Sequence, residues 1–313
     1  MQKPLQQSSE WKKFLEDLEL KTFFREEDDF TFLAELKTTP VGDYLYVPYG
    51  PFASSKEGFK KAYGALLDLA KEQGAFFVRV EPQDKLSLDT LKDFKAKKSH
   101  DINPADTWVL DLTPEKEVIL KNFTQGTRTR YNQSPKKGLT VTNTKDPDKI
   151  RHLVELQIPL AKMRKIATFD EDYLKTELAQ DFASLYLVHY TPPESEKEEI
   201  IAASLFFDFG DTRYYMQSAS NYEYRKLPAT VALLTSALFD AKEKGLKMFD
   251  FWGIAPEGAP KDHPWAGFTG FKKSFGGEAV HYCGTWDLVC NSAKYNLYQG
   301  LRKANLLRRK IFK

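Results

Sequence analysis

Ala241-Lys242-Glu243-Lys244-Gly245 runs almost directly into Lys247-Met248-Phe249-Asp250-Phe251, and the same join occurs earlier, where Ala70-Lys71-Glu72-Gln73-Gly74 leads into Phe76-Phe77-Val78-Arg79-Val80. A run of helix formers that stops at glycine and passes into an apolar-rich stretch predicts a helix followed by a strand, with the glycine as the left-handed closing residue. Upstream of the first join, Phe59, Tyr63, Leu66, Leu67 and Ala70 recur at helical spacing; upstream of the second, Val231, Leu234, Leu238 and Ala241 do the same. Extended segments precede each helix, at 31–36 with 44–47 and at 200–207 with 212–216. Each half therefore reads strand–strand–helix–strand, an internal duplication in an α/β (α+β) protein. A helical stretch at about 148–178, without sustained heptads, separates the halves.

With 313 residues, 42 % of them hydrophobic and 14 % aromatic, the chain can build two cores. A net charge of +2 excludes a uniformly basic nucleic-acid binder, so any basic surface must be local. Cys283 and Cys290 give no disulfide framework. The N-terminus lacks the apolar core of a signal peptide, and no apolar run reaches the ~20 residues that span a bilayer. The expectation is a cytoplasmic protein, with peripheral contact at the inner membrane face left open. His281 and Cys283 share a strand face, but two ligands without a third make no metal site. No metal and no cofactor are expected.

The strand–strand–helix–strand order resembles the GNAT acyltransferase fold, here in tandem with a cleft between the copies. A more specific resemblance lies in a series of blocks. These are Thr107-Trp108-Val109-Leu110-Asp111-Leu112, Thr129-Arg130-Tyr131-Asn132 with Lys136-Lys137-Gly138, Tyr214-Tyr215-Met216 leading to Arg225-Lys226-Leu227-Pro228, Asp250-Phe251-Trp252-Gly253-Ile254, Phe271-Lys272-Lys273-Ser274-Phe275-Gly276-Gly277, and Gly284-Thr285-Trp286-Asp287-Leu288-Val289. Their order resembles the Fem family of non-ribosomal aminoacyltransferases, in a compact form without the coiled-coil arm. The resemblance implies transfer of an amino acid from aminoacyl-tRNA to an amine of a peptidoglycan precursor, nucleotide-linked or lipid-linked. The expected domains are 1–140 and 141–290, with the helix 291–313 packing back on the first.

Lys272 is the expected catalytic cation, set against Phe271 and Phe275 where desolvation strengthens its pull on an oxyanion. Glu81, at the end of the strand 76–80, is the expected base for the acceptor ammonium. The resemblance places Lys13 and Tyr173 at the acceptor, with Arg164 in place of an arginine the family carries where this chain has Phe169. Tyr215 and Arg225 are further expected substrate contacts. At the second helix start, Arg225-Lys226-Leu227-Pro228 offers no glycine and, at Pro228, no N–H, which argues against a coenzyme A pyrophosphate. Arg128, Arg130, Lys136 and Lys137 form one expected tRNA surface, and Arg302, Arg308 and Arg309 another. The C-terminal helix carries an apolar stripe of Tyr295, Tyr298, Leu301, Leu307 and Ile311 expected to dock on the protein. Two competing readings fit the same residues: an N-acyltransferase with another donor, and a non-catalytic RNA-binding or cell-wall-assembly protein.

Overall fold

The computed structural model describes residues 2–164, 168–260, 263 and 265–311, with backbone alone at 163–164 and 306–311. The chain forms two compact units, 1–105 with 281–313, and 106–280. The first begins with α1 (Ser9–Asp17), β1 (Thr22–Glu26), β2 (Phe30–Thr39), β3 (Gly42–Val47), β4 (Phe52–Ala53), α2 (Lys56–Glu72), β5 (Phe77–Val80), α3 (Ser87–Asp93) and β6 (Lys97–Lys98). The second comprises β7 (Asp106–Asp111), α4 (Lys116–Asn122), α5 (Gln125–Gln133), β8 (Thr140–Thr144), α6 (Ile150–Arg164), α7 (Glu171–Ala179), β9 (Ala183–Tyr190), β10 (Glu199–Phe209), β11 (Thr212–Ser220), α8 (Ala229–Glu243), β12 (Met248–Gly253), α9 (Ala266–Lys273) and β13 (Glu278–His281). The chain then returns to the first unit with β14 (Trp286–Val289) and α10 (Ser292–Ile311).

The two sheets run β1-β2-β3-β5-β14-β6 and β13-β7-β12-β11-β10-β9-β8, with β4 beside β2. The duplicated joins both form as expected. β2 and β3 are an antiparallel hairpin, α2 follows, and β5 lies parallel to β3. In the same way β10 and β11 pair antiparallel, α8 follows, and β12 lies parallel to β11. Gly74 and Gly245 close α2 and α8 at φ +65° and +81°, angles a residue with a Cβ reaches only at a cost. The helices bury the expected residues, Phe59, Tyr63 and Leu66 in one core and Val231, Leu234 and Leu238 in the other.

The domain boundary falls at 105/106, not at 140/141. The cause is an exchange of strands. Had each half kept its own segments, β7 would lie beside β5. Instead β7 pairs antiparallel with β12, and β14, from the end of the chain, pairs antiparallel with β5. The exchanged strands correspond: each has Thr-Trp at its start, Thr107-Trp108 one residue into β7 and Thr285-Trp286 across the first residue of β14. α10 is held on the first unit by Tyr295 and Tyr298, whose rings lie 5.4 and 5.5 Å from that of Phe77. The expected stripe does not continue to Leu301, which is exposed. Six residues beyond Tyr295 the helix has turned by about 240°, carrying Leu301 off the docked face. Leu307 and Ile311 lie outside the described side chains.

Candidate active site

In the second unit, β11 and β12 pair through Thr212–Tyr214 against Met248–Asp250 and no further. β11 continues to Ser220 against β10, while β12 runs to Gly253 with a register irregularity against β7 after Asp250. At that irregularity Trp252 takes φ +66°, a region costly for a residue with a side chain. Its N–H donates to Asp250 Oδ1 at 2.7 Å, and the Thr107 hydroxyl from β7 donates to the same oxygen. The Tyr214 ring meets the Trp252 ring edge-on at 6.2 Å. Asp250 is buried, and burial pushes its pKa up to about 6 against the pull of Thr107, Trp252 and Lys272.

Lys272 lies on α9 with only 7 % of its surface exposed. Its Nζ donates to the Gly253 carbonyl at 2.6 Å, at the end of the irregular stretch of β12. Burial pulls its pKa down to about 8, and the Asp250 charge opposes that fall. The aromatic partner is Phe268, whose ring centroid lies 5.0 Å from Nζ, and not Phe271 or Phe275. A helix sets i and i−4 one above the other, which brings Phe268 under Lys272. Phe271 and Phe275 pack edge-on to each other at 5.3 Å in the core. The end of α9 is fixed to β7 by Trp108 Nε1, which donates to the Gly276 carbonyl at 2.7 Å. Gly277 lies so close to β7 that a Cβ would sit 2.1 Å from the Val109 carbonyl oxygen, so only glycine allows this approach. A buried ammonium whose proton is held less tightly than usual is thus set beside a strained strand end, on a helix whose C-terminal end is tied to β7.

The first unit carries the corresponding position in closed form. Tyr46 stands opposite Arg79 in the β3–β5 ladder as Tyr214 stands opposite Asp250. Arg79 is fully buried and bidentate to Asp287 of β14, at 2.7 and 2.8 Å, and the Tyr295 hydroxyl donates to Asp287 at 2.9 Å. Glu81 is buried too, and its two oxygens accept five hydrogen bonds. Tyr46 OH and Asn103 Nδ2 reach Oε2 at 2.7 and 2.9 Å. The Ile102 and Asn103 N–H groups and the Thr285 hydroxyl reach Oε1 at 3.1, 3.2 and 2.7 Å. A carboxylate offers about four lone-pair sites, so Glu81 has none left for an acceptor ammonium. This corrects its expected role as a base: it joins β3, β14 and residues 102–103.

The other expected site residues are divided between the two units. Lys13 is exposed on α1 of the first unit, and Tyr173 is half-buried at the start of α7 in the second. Phe169 stacks on Tyr173, centroids 4.3 Å apart at 11°, so an aromatic face occupies the place expected of a cation. The Arg164 side chain lies outside the described residues. Tyr215 is half-buried and stacks on Phe206 at 5.5 Å, while its neighbour Tyr214 borders Trp252. Arg225 is exposed with its guanidinium over the Tyr222 ring at 4.4 Å, shortly before Pro228, which caps α8 without any side-chain hydrogen bond. Arg128 is drawn inward, its Nη1 donating to the Phe123 carbonyl and, at 2.7 Å, to that of Lys121, so it closes α4. Arg130, Lys136 and Lys137 are exposed in the second unit. Arg302 is half-buried in the first, with its pKa lowered by burial; the side chains of Arg308 and Arg309 lie outside the described residues. Sequence reasoning missed the Asp250–Thr107 contact and the Arg79–Asp287 pair, although the repeated Thr-Trp was a signal for both.

The two units repeat a GNAT-like strand order, and solved structures carry the same fold. The chain aligns with the crystal structure of FemX at TM-score 0.80, 18 % identity and 94 % of each chain. It aligns with a tandem GNAT protein of the clavulanic acid pathway at TM-score 0.54 and 12 % identity, over 87 % of this chain and 83 % of that one. Residues 189–303 match the FemAB family model. Over 90 residues it is 30 % identical to the aminoacyltransferase FemA of Staphylococcus epidermidis, a match to 29 % of this chain and about a fifth (21 %) of that protein. A longer, weaker alignment of 22 % identity covers 80 % of this chain and 78 % of the lipid II:glycine glycyltransferase of Staphylococcus aureus. Among the described residues no helix is long and apolar enough to cross a membrane.

Proposed function

We propose that the protein is an amide-forming aminoacyltransferase. It moves an amino acid from the ester of aminoacyl-tRNA to an amine of a peptidoglycan precursor stem peptide, with Lys272 at the reacting centre. The single observation that carries the reading is the buried Lys272 ammonium on the Gly253 carbonyl, where β12 parts from β11. The names of the two relatives support acyl transfer in cell-wall synthesis.

The chemistry needs no redox group. The neutral amine attacks the ester carbonyl, the C=O electrons move to oxygen, and a tetrahedral oxyanion forms. A preorganised cation in a water-poor site stabilises that charge; one such donor is typically worth ~3 kcal/mol. On collapse the C–O bond to ribose breaks and the leaving oxygen takes a proton. With a pKa of about 8, Lys272 suits donating that proton and recovering one from the new amide nitrogen. Glu81 is left out of this scheme because its oxygens are saturated. Arg130, Lys136 and Lys137 are the exposed cations of the second unit assigned to tRNA phosphates. Tyr173 and Arg225, both in the second unit, are assigned to the acceptor; the Phe169–Tyr173 stack favours a sugar or lipid portion over a diphosphate there.

The test sets donors against each other. Labelled aminoacyl-tRNA with a stem-peptide precursor should give an amide whose mass equals the precursor plus one aminoacyl residue. Acetyl-coenzyme A should give nothing, because the start of α8 offers neither glycine nor a Pro228 N–H. Acetylation of the precursor, or a micromolar coenzyme A site by calorimetry, would overturn the donor assignment.

A further inference from the structure

The face of α10 turned away from the first unit is built for another surface. One side of the helix is fixed by Tyr295 and Tyr298 on Phe76 and Phe77. On the other, Leu297 and Leu301 stand 57 % and 45 % exposed, one turn apart. Ala293, Gly300 and Ala304 are exposed with them and extend an apolar strip along the helix. Lys294 and Lys303 are also exposed. Across 292–311 the sequence holds Lys294, Arg302, Lys303, Arg308, Arg309 and Lys310 and not one Asp or Glu. The whole chain carries only +2, so this helix is a local concentration of charge.

We propose that this face of α10 docks the protein on an anionic lipid surface, with Leu297 and Leu301 entering the headgroup boundary and the lysines meeting lipid phosphates. An amphipathic helix with leucines on its apolar face and only cations among its charges binds bilayers in this way. RNA is the poorer occupant, because phosphates reward the cations but give two bare leucines nothing. A second copy is poorer still: two acid-free helices repel, and two leucines with a few small residues fall far short of the ~800 Å² per partner of a stable interface. The inference rests on the exposed leucines and the charge pattern and does not depend on the acyl-transfer reading.

The experiment is co-sedimentation of the full-length protein with vesicles of phosphatidylcholine alone, or with about a third phosphatidylglycerol. Binding is expected to the mixed vesicles only. Leu297→Gln with Leu301→Gln should weaken it at least ~tenfold, since each leucine loses its apolar transfer energy. Lys294→Gln with Lys303→Gln should weaken it by roughly fivefold per charge at low salt. Leu297→Phe with Leu301→Phe should strengthen it. The substituted residues are exposed, so thermal melts should match wild type, separating lost docking from lost folding. Three results would overturn the proposal: no preference for the anionic vesicles, wild-type binding by the glutamine pair at 297 and 301, or a wild-type dimer that the same pair converts to monomer.

Discussion

Replacing Lys272 with Met should separate activity from stability. Burial of the Lys272 charge in the folded protein lowers its pKa from 10.5 to about 8. That corresponds to about 3 kcal/mol of unfavourable free energy, at 1.36 kcal/mol per pH unit. The folded pKa lies below the unfolded one, so the unfolded chain binds the extra proton between pH 8 and 10.5. The penalty is therefore fully present at pH 7 and fades as pH rises through that window. Met keeps the length and apolar stem of the side chain without the charge. It forfeits one hydrogen bond to the Gly253 carbonyl, a loss of about 1–2 kcal/mol. The variant should be as stable as wild type at pH 7 or up to ~2 kcal/mol more stable. Its transition state loses a cationic donor, so kcat should fall about a hundredfold with KM for aminoacyl-tRNA little changed. Paired urea melts and steady-state kinetics read both. A variant that loses stability while keeping wild-type kcat at saturating donor would make Lys272 a structural residue and refute the reasoning.

Asp250→Asn should pull the Lys272 pKa below 8, because it removes the charge that opposes desolvation. The alkaline loss of activity should then begin at lower pH than in wild type, and an unmoved limb would show the two groups to be uncoupled. Asp287→Asn leaves the buried Arg79 without its counter-ion and should destabilise the protein by about 3–5 kcal/mol in denaturant melts; a loss under ~1 kcal/mol would mean water reaches the guanidinium. Glu177 is almost wholly buried, its Oε1 accepts from Gln217 at 3.2 Å, and burial pushes its pKa up to about 8. The folded state holds that proton better than the unfolded chain. Its stabilisation is therefore complete below about pH 4.5 and is lost as pH rises through about 8. Glu177→Gln should flatten the fall in stability over that range, and a pH profile identical to wild type would reject the assignment.

The helix–glycine–strand joins were legible because they depend on local chemistry: helical apolar spacing, a left-handed glycine and an apolar-rich strand. The strand exchange was not, because pairing of β7 with β12 and β14 with β5 is non-local, and either arrangement satisfies the same alternation of side chains. Lys272 was found because its block is distinctive, yet its ring partner was misread: residue spacing names Phe268, Phe271 and Phe275 as candidates, and the tilt of the side chain selects Phe268. Glu81 was misread for a related reason. A carboxylate at a strand end followed by proline looks available, and only the return of residues 102–103 and of Thr285 shows its oxygens in use. The same limit applies to Arg128, whose charge is visible in the sequence but whose acceptors, two carbonyls at the end of α4, are not.

The most direct test of the central claim is the mass of a stem-peptide precursor after incubation with aminoacyl-tRNA, wild-type protein beside Lys272→Met. With wild type, the precursor should gain one aminoacyl residue in an amide bond stable to mild base; with Lys272→Met, that species should form about a hundredfold more slowly. An unmodified precursor with wild type, or equal rates for the two proteins, would contradict it.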